Sequence, residues 1–488
     1  MDIAVIGAGH VGTVCGASLA AIDHHVTVVD IDEARISMLR DGRTPFIEPD
    51  LDKLLGRGRA RGNLIFESDG RVLADAQLIF LCVNTDNAPD GSVDLSAIEA
   101  AVRAVSRFAG PGAILVNRST APVGTAEYIT SLSDELRETP MRVAVNPEFL
   151  AEGTAVRDFL APDRILVGAS DELSVDALFA AYRPIVDRRM PSDVLPFTGQ
   201  PRAAADVPFV VTDPASAELA KYAANSMLAV KISFINEIAS IAEELGADVT
   251  KVAEAAGLDR RIGRHFLRAG IGWGGSCFPK DIVALQGIAE TRGIKARMLW
   301  AANEVNEQQR TWTMRKLQTH FKTLFGRRVG LLGLGFKPHT DDMRNAPALE
   351  IANQLARANV HVRAFDPVVK TLPEGFEGTI EVMTDVESLA AGADALVVVT
   401  EWPEFADLDL VRLGDSMRTK VLLDGRNLFD PEGARQAGFV YMGVGRTRGA
   451  DEGASSGSLD HRPPHAGTDV GTPAENEVIV LEEASDVA

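Results

Sequence analysis

Cysteine is scarce in this 488-residue sequence, which contains only Cys15, Cys82 and Cys277. The three are odd in number and far apart, so they do not form the paired framework that staples small secreted domains. Their scarcity argues against a disulfide-rich fold. It favours a reducing compartment, and we expect a cytoplasmic protein.

Positive charge is also in short supply: 49 Lys and Arg stand against 69 Asp and Glu, a formal net charge of −20. This balance argues against binding to nucleic acid or to an anionic membrane surface. A few well-placed basic residues and helix N-termini can still hold a phosphate group. No apolar run reaches the roughly 18 residues that span a membrane, and the first residues lack the basic region of a signal peptide. We therefore expect neither a nucleic acid nor a membrane as a partner.

Short apolar runs alternate with helical patterns from the N-terminus onward. Strands are predicted at Ile3–Ile6, Val26–Asp30, Leu78–Val83, Ala113–Val116 and Arg142–Val145, and helices at Val11–Ala21, Ser96–Phe108 and Thr125–Glu138. Alternation of this kind predicts a mostly parallel sheet with helices on both faces.

One helix is predicted to be unusually long. After Pro214 the run 214–245 contains neither Gly nor Pro, Asp213 precedes it as a cap, and Gly246 closes it. About 30 helical residues span about 45 Å, which is too long for one small domain. We expect a connecting spine whose apolar face is buried in a homodimer.

The alternating pattern returns near Arg327. Strands are predicted at Arg328–Leu332, His361–Asp366, Ala395–Thr400 and Lys420–Asp424, with a helix at Ala346–Ala358. The fold class is therefore α/β, with two Rossmann-like doubly wound domains joined by a long central helix. The predicted divisions are 1–205, 206–320, 321–446 and a Gly-, Ser-, Pro- and acid-rich tail at 447–488, which we expect to be disordered.

A glycine-rich turn follows the first predicted strand. Gly7, Gly9 and Gly12 form the GxGxxG pattern, in which glycines permit a tight turn, close approach of a pyrophosphate and close helix packing. Asp30 ends the next predicted strand, where an acid accepts hydrogen bonds from a ribose and repels a 2′-phosphate. The pattern predicts an NAD site. The alternative is a glycine-rich turn in a nucleotide-free fold.

A second glycine-rich stretch, 270–281, contains Cys277 followed by Pro279. Pro279 is typical of the first turn of a helix. The helix N-terminus and nearby Lys280 are expected to lower the pKa of the thiol. A buried structural cysteine is the alternative, which suits Cys15 and Cys82 better because they lie in apolar helix and strand patterns.

A nucleophilic cysteine in a dehydrogenase favours one kind of chemistry. An alcohol is oxidised to an aldehyde, the thiolate captures the aldehyde as a thiohemiacetal, and a second oxidation gives a thioester that water cleaves to an acid. Covalent capture keeps the aldehyde from escaping.

The sequence resembles the UDP-glucose/GDP-mannose 6-dehydrogenase family from Met1 to about Gly445. The matching motifs are Gly7–Gly12, Arg118-Ser-Thr-Ala-Pro-Val-Gly-Thr125, Asn146-Pro-Glu-Phe-Leu-Ala-Glu-Gly153, Leu219-Ala-Lys-Tyr-Ala-Ala-Asn225, Gly274–Asp281 and Gly333-Leu-Gly-Phe-Lys337. The resemblance implies that 1–205 binds NAD, that 206–320 carries the dimer interface and catalytic loop, and that 321–446 binds the nucleotide sugar. UDP-glucose is the implied substrate, with GDP-mannose and UDP-N-acetylmannosamine as alternatives.

The resemblance also implies roles for particular residues. Cys277 is implied as the nucleophile, with a polar cluster around the attacking water and the oxyanion: Lys221, Asn225, Asp281, Thr120 and Glu148. Cofactor contacts are implied at Gly7, Gly9, Val11, Gly12, Asp30, Thr85, Thr120, Glu152, Lys280 and Arg344. Substrate contacts are implied at Glu148, Phe149, Leu150, Glu152, Lys221, Asn225, Gly274, Cys277, Phe336, Lys337, Arg426 and Arg261, the last reaching across the dimer.

Two other functions stay open at this point. A two-electron hydroxy-acid dehydrogenase would share the Rossmann domain and long helix but would need no thiol, and a non-catalytic NAD-binding protein would tolerate loss of Cys277. No metal is expected, because His461 and His465 have no cysteine or carboxylate to complete a site. Asn84-Thr85-Asp86 and His10 depart from the residues usual in the family.

Overall fold

The computed structural model describes residues 1–88, 91–199 and 206–446, in which strands and helices alternate along most of the chain. The tail at 447–488, predicted to be disordered, lies outside the described residues. Cys15, Cys82 and Cys277 are all free thiols, as the scarcity of cysteine predicts.

The first sheet has eight strands in the order β3-β2-β1-β4-β5-β6-β7-β8. All neighbours are parallel except the antiparallel pair β6–β7. The strands are β1 (Asp2–Ile6), β2 (His25–Val29), β3 (Leu64–Glu67), β4 (Leu78–Leu81), β5 (Ile114–Asn117), β6 (Arg142–Val145), β7 (Ile165–Ala169) and β8 (Phe209–Thr212). The helices are α1 (His10–Ala21), α2 (Glu33–Arg40), α3 (Leu51–Arg61), α4 (Ser96–Phe108), α5 (Thr125–Leu136), α6 (Ala155–Leu160) and α7 (Glu172–Val186).

Both faces of this sheet are buried. Successive residues of a strand point to opposite faces; in β4, Leu78 and Phe80 pack into one apolar cluster, whereas Ile79 and Leu81 pack into another. A parallel sheet covered on both faces reads as a continuous apolar run, as β4 does. This is the doubly wound arrangement that the alternating pattern predicts.

The central region begins with the long helix α8, Pro214–Leu245, whose bounds agree with the prediction. The Asp213 carboxylate accepts the backbone N–H of Ser216 at 2.8 Å, and Gly246 ends the helix in the left-handed conformation. The helices that follow are α9 (Val249–Gly257), α10 (Phe278–Glu290), α11 (Arg297–Arg310) and α12 (Trp312–Phe321).

The second sheet has six parallel strands in the order β11-β10-β9-β12-β13-β14. Counted from its own first strand, this is the order 3-2-1-4-5-6, the same as β3-β2-β1-β4-β5-β6 in the first sheet. The strands are β9 (Arg328–Leu332), β10 (His361–Phe365), β11 (Ile380–Val382), β12 (Ala395–Val398), β13 (Val421–Asp424) and β14 (Val440–Gly443). The helices are α13 (Pro347–Arg357), α14 (Val386–Ala390), α15 (Pro403–Ala406), α16 (Leu410–Ser416) and α17 (Pro431–Gln436). The predicted fold class is confirmed.

The structure adds elements that the sequence pattern did not indicate. Strands β3, β7, β8, β11 and β14 were not predicted, and the reversal of direction between β6 and β7 was not foreseen. Within the residues that the structure describes, no helix is long and apolar enough to cross a membrane.

Candidate active site

The glycine-rich turn between β1 and α1 is built from the residues that the fingerprint predicts. Gly7 has φ +101°, and a Cβ there would lie 2.3 Å from the carbonyl oxygen of Cys82. At Gly12 a Cβ would lie 1.8 Å from the carbonyl oxygen of Gly7. A Cβ at Gly9 would meet no protein atom within 4 Å. The fold therefore requires the outer two glycines, whereas the middle one leaves room beside the backbone for a pyrophosphate.

Asp30 lies directly after β2 and faces this turn. Its carboxylate accepts the backbone N–H of Ala8 at 2.6 Å and that of Asp32 at 2.9 Å, and Arg35 lies 3.2 Å away. The acid thus has the position expected for hydrogen bonds to a ribose. These residues fit NAD.

Two further predicted cofactor contacts border the turn. Val11 is partly buried in the first turn of α1. The hydroxyl of Thr85 donates to the carbonyl oxygen of Thr120 at 2.6 Å, which links the loops that follow β4 and β5.

Cys277 precedes α10, whose first turn contains Pro279, as predicted. Burial raises the pKa of its thiol, and the ammonium of Lys221 opposes the rise. The expected lowering of this pKa is therefore wrong. The Lys280 ammonium lies 2.7 Å from the Asp281 carboxylate, and it is Lys221, from α8, whose charge acts on the thiol.

Lys221 and Glu148 form a buried ion pair with a separation of 2.9 Å. Burial tends to lower the pKa of Lys221, but Glu148 and then Cys277 outweigh that effect and the pKa is raised. Burial tends to raise the pKa of Glu148, but Lys221 outweighs it and the pKa is lowered. Both groups are therefore charged near neutral pH, and Lys221 presents a buried cation towards the thiol.

Asn225 lies one helical turn after Lys221 on α8, so the two side chains share a face. Its amide donates to the Asp281 carboxylate at 2.6 Å. Asp281 is 1% exposed and lies in the first turn of α10. The hydrogen bond fixes the helix that Cys277 begins against the helix that carries Lys221.

Residues of the second α/β region form the opposite wall of the site, where they lie close to Glu152 of the first region. Glu152 accepts the hydroxyl of Ser276 at 3.1 Å and lies 3.5 Å from Arg344. Burial, and then Asp342, raise the pKa of Glu152. Burial also lowers the pKa of Lys337, although Glu152 opposes that shift. The cysteine loop is therefore enclosed between residues of both α/β regions.

Close backbone contacts explain the glycines before Cys277. A Cβ at Gly274 would lie 2.1 Å from the carbonyl oxygen of Asn345, and one at Gly275 would lie 2.8 Å from the ring of Phe336. These contacts require glycine, so the loop before Cys277 and the 336–345 loop pack directly against each other.

The loop after β6 supplies two more predicted residues. The backbone N–H of Leu150 donates to the Glu148 carboxylate at 2.6 Å. The ring of Phe149 lies under the Lys221 ammonium, 5.4 Å from its centroid. The Lys221–Glu148 pair is thus held by its own loop as well as by α8.

Two predicted substrate residues do not reach the cysteine. Arg261 pairs with Asp259 at 2.6 Å, and its side chain is 89% exposed. Arg426 donates to the carbonyl oxygens of Val399 at 2.7 Å and Gly272 at 3.2 Å, so it supports the start of the glycine loop.

Three residues near the site were not among the predicted contacts. The hydroxyl of Ser276 lies 3.6 Å from the Cys277 sulfur. His10 lies 2.8 Å from Glu48, whose carboxylate also accepts the backbone N–H of Gly153 at 2.7 Å. Ser276 adjoins the cysteine in sequence and was detectable, whereas Glu48 is brought in by tertiary packing alone. In the described part of the chain, no group of three or more His, Cys, Asp or Glu residues is placed to hold a metal ion.

Comparison with known proteins settles the family. Three models of the UDP-glucose/GDP-mannose dehydrogenase family match the chain: the NAD binding domain at 1–186, the central domain at 215–308 and the UDP binding domain at 330–431. The chain belongs to this family. It is an NAD-dependent nucleotide-sugar dehydrogenase, and NAD is its cofactor.

Similar members of the family are known from several organisms. The chain is 39% identical to the Bacillus subtilis UDP-glucose 6-dehydrogenase YwqF, over 93% of this chain and 100% of that protein. It is 40% identical to a Pseudomonas aeruginosa UDP-glucose 6-dehydrogenase, over 92% and 98%. Among solved structures, a UDP-glucose dehydrogenase from Pyrobaculum islandicum is similar with a TM-score of 0.81 and 36% identity, over 91% of this chain and 98% of that one.

Proposed function

We propose that this protein oxidises the C6 alcohol of UDP-glucose to the carboxylate of UDP-glucuronate, with Cys277 carrying the sugar as a thiohemiacetal and then as a thioester. The observation that carries the proposal is the position of Cys277. It lies directly before α10, and the positive charge of the buried Lys221 ammonium acts on its thiol. An enzyme that stops at the aldehyde, or a hydroxy-acid dehydrogenase, needs no such thiol. NAD, when bound, accepts one hydride in each of the two oxidations.

The residues around the thiol are proposed to act on charge that develops at C6. Lys221 and the Asn225 amide are donors suited to an oxyanion. Glu148 keeps Lys221 charged and is the proposed partner of the attacking water, together with Thr120 and Asp281. The ion pair between Lys221 and Glu148 supports this assignment, because it holds a cation ready before substrate arrives.

Cofactor contacts are proposed at the first α/β region and its neighbours. The glycine turn and Asp30 would hold the pyrophosphate and a ribose. Glu152 would lie beside the nicotinamide. The remaining proposed contacts are Val11, Thr85, Thr120, Lys280 and Arg344.

UDP-glucose is favoured over the other nucleotide sugars by the relatives. Those named UDP-glucose 6-dehydrogenase reach 40% identity, whereas a Pyrococcus horikoshii UDP-D-ManNAc dehydrogenase of similar fold, with a TM-score of 0.78, is 27% identical. The proposed sugar-nucleotide contacts from this chain are Glu148, Phe149, Leu150, Glu152, Lys221, Asn225, Gly274, Cys277, Phe336, Lys337 and Arg426.

A homodimer through α8 is proposed because this helix leaves an apolar stripe exposed. Met227, Phe234 and Ile241 are seven residues apart and 57%, 53% and 48% exposed. This spacing puts them on one helix face. The same arrangement would let the exposed Arg261 reach the substrate of a second copy. Light scattering tests the stripe: Phe234→Asp is expected to reduce the dimer to a monomer, and an unchanged mass would remove this interface.

The domain division and location follow from the same scheme. The proposed parts are an NAD-binding domain at 1–205, a central domain at 206–320 that carries the dimer face and cysteine loop, and a nucleotide-sugar domain at 321–446. A cytoplasmic location is proposed from the three free thiols. Cell fractionation checks the location.

The proposed reaction is tested by stoichiometry. The protein is incubated with excess NAD and limiting UDP-glucose, GDP-mannose or UDP-N-acetylmannosamine in parallel. Two NADH per sugar from UDP-glucose, without free aldehyde, is the expected result. One NADH per sugar would remove the role of Cys277, and no turnover with any of the three would remove the substrate assignment.

The matched variants are Cys277→Ser and Cys82→Ser. Loss of the nucleophile is expected to reduce acid formation by about a thousandfold or more, whereas the buried Cys82 lies outside the cysteine loop and its variant is expected to stay active. Equal activity of the two variants would contradict covalent catalysis.

A further inference from the structure

The proposed reaction has a mass balance that the structure must accommodate. Alcohol, two NAD and one water give a carboxylate, two NADH and three protons. In the last step the water oxygen bonds to C6 and the C6–Sγ bond breaks. One proton of the water goes to the sulfur of Cys277, and the other leaves when the acid ionises. Water must therefore enter and protons must leave while a bulky sugar nucleotide and cofactor lie against the thiol.

A cavity adjoins Glu148. Its volume is ≈120 Å³, and its lining includes Arg118, Asn146, Glu148, Tyr182 and Asp163. One water needs about 10–15 Å³ of such volume, so the cavity has room for several waters. Apolar residues such as Phe149, Leu150 and Phe159 also line it, but the polar and charged groups provide the hydrogen-bond partners that a buried water needs.

The two ends of this cavity differ in exposure. At the inner end Glu148 and Arg118 are buried, with exposed fractions of 7% and 5%. At the outer end Asp163 is exposed. The cavity thus extends from the buried carboxylate to a carboxylate at the surface.

Buried hydrogen bonds connect the wall of the cavity. Arg118 donates to the side-chain oxygen of Asn146 at 2.6 Å and to the hydroxyl of Tyr182 at 3.1 Å. That hydroxyl donates to the same Asn146 oxygen at 2.7 Å. These hydrogen bonds hold the three side chains together along the wall. Glu148 also contacts Lys221, whose charge acts on Cys277.

We propose that this cavity is the passage by which the hydrolytic water enters and protons leave, with Glu148 as its inner gate and Tyr182 and Arg118 as positioning residues along its wall. The inference rests on the proposed function, since only thioester cleavage consumes water. Substrate and cofactor need not leave for a proton to escape, because the cavity also reaches the exposed Asp163.

The test separates hydride transfer from hydrolysis in Tyr182→Phe. The variant keeps the ring and removes the hydroxyl, which accepts a hydrogen bond from Arg118 and donates one to Asn146. Rapid mixing with UDP-glucose and NAD is expected to give an unchanged burst of two NADH per site. Steady-state turnover is expected to fall about tenfold, the change that loss of one hydrogen bond of typical strength produces. Acid quenching and mass spectrometry are expected to find the thioester on Cys277 accumulated.

Tyr441→Phe is the matched control. Tyr441 is also a buried tyrosine, and its hydroxyl lies 2.9 Å from Asp424, in the second α/β region. Its variant is expected to keep both the burst and the turnover. If Tyr182→Phe behaves like this control, or if its burst slows as much as its turnover, the passage is overturned.

Two more measurements protect the test against misfolding. Arg118→Met keeps the bulk of the arginine and removes its charge, and the same accumulation of thioester is expected. In the wild type, turnover in mixtures of light and heavy water is expected to give a curved proton inventory, because several protons move together, and a linear one would overturn the passage. If the wild type yields two NADH per sugar but these results fail, only the passage fails. If it yields no NADH, the proposed function fails and the passage with it.

Discussion

The two α/β regions have the same strand order but different first turns. After β1 the chain passes Gly7 and Gly9 and begins α1 at His10, and Gly12 is the third residue of that helix. After β9 the chain passes Gly333 and Gly335 and begins α13 only at Pro347. Where the first turn has its third glycine, the second has Pro338.

The acids at the end of the second strand differ in the same way. The side chain of Asp30 is 10% exposed at the turn. Asp366 is 1% exposed, and its carboxylate accepts the backbone N–H of Leu334 at 2.7 Å and of Val368 at 3.0 Å. Both acids therefore bond the backbone of the first turn and of their own loop, but only Asp30 keeps part of its carboxylate accessible to a ligand. Equal topology therefore does not give equal ligands, and the loops decide what each region binds.

The largest expected effect comes from the first glycine turn. In Gly7→Val the new side chain would meet the Cys82 carbonyl and would have to adopt a positive φ. NAD affinity is expected to fall at least about tenfold, since roughly 1.4 kcal/mol corresponds to that factor, while binding of UDP to the second region is kept. Titration calorimetry with each ligand measures both.

Gly62→Ala is the control for Gly7→Val. Gly62 also has a positive φ, +69°, but a Cβ there would meet nothing within 4 Å. Its variant is expected to keep NAD affinity. Equal weakening in the two variants would mean that backbone strain, not the turn, determines the loss.

Lys337→Met changes the other region. Burial lowers the pKa of this ammonium, and its proposed partner is the sugar nucleotide. The KM for UDP-glucose is expected to rise about tenfold, as for loss of one charge-assisted contact, with the affinity for NAD unchanged. Lys420→Met, which removes an ion pair with Asp415 on the same region, is the control, and the prediction is wrong if both variants raise the KM alike.

Asp30→Asn and Asp366→Asn compare the two acids directly. The first is expected to improve NADP relative to NAD by a factor of about ten, because a charge that repels the 2′-phosphate is removed. The second is expected to lower the free energy of unfolding by about 1–3 kcal/mol and to leave the cofactor preference unchanged. Kinetics with NAD and NADP measure the cofactor preference of both variants, and denaturant unfolding measures their stability. A changed cofactor preference in Asp366→Asn, with none in Asp30→Asn, would contradict the comparison.

The smallest effect concerns the thiol between the two regions. Because burial raises the pKa of Cys277, its thiolate fraction grows with pH and is half-maximal above the ordinary value of about 8.5. The rate of alkylation by iodoacetamide is therefore expected to rise up to that higher pH. Removing the nearby cation in Lys221→Met is expected to move the midpoint higher still. A midpoint below 8.5 in the wild type would contradict the buried environment.

Much of the fold was predictable because its signals are local. α8 was predicted with its bounds, since Asp213, Pro214 and Gly246 each act on the nearest turn of the chain. β6 was predicted at Arg142–Val145 because the three residues that follow Arg142 are apolar and adjacent in the chain. By contrast β7 pairs antiparallel with β6, and nothing in its own sequence states the direction of its neighbour.

In the candidate site, too, the features that depend on nearby residues were predicted, whereas those that depend on tertiary packing were not. The spacing of Lys221 and Asn225 placed them on one face, and Pro279 placed Cys277 at a helix start. The pKa of the thiol was predicted in the wrong direction, because sequence proximity suggested Lys280 while the folded chain pairs Lys280 with Asp281. Burial, which depends on every element packed around the loop, then determines the shift.

The sequence by itself determined the helix ends, the glycine turn that suits NAD and the position of the one cysteine outside apolar helix and strand patterns, because each depends on residues a few positions apart. Only the tertiary structure decided that Lys221 pairs with Glu148 across 73 positions, and that Arg118 and Tyr182 line a cavity behind it. Such contacts require two distant segments to be packed together, and no local pattern records which segments those are.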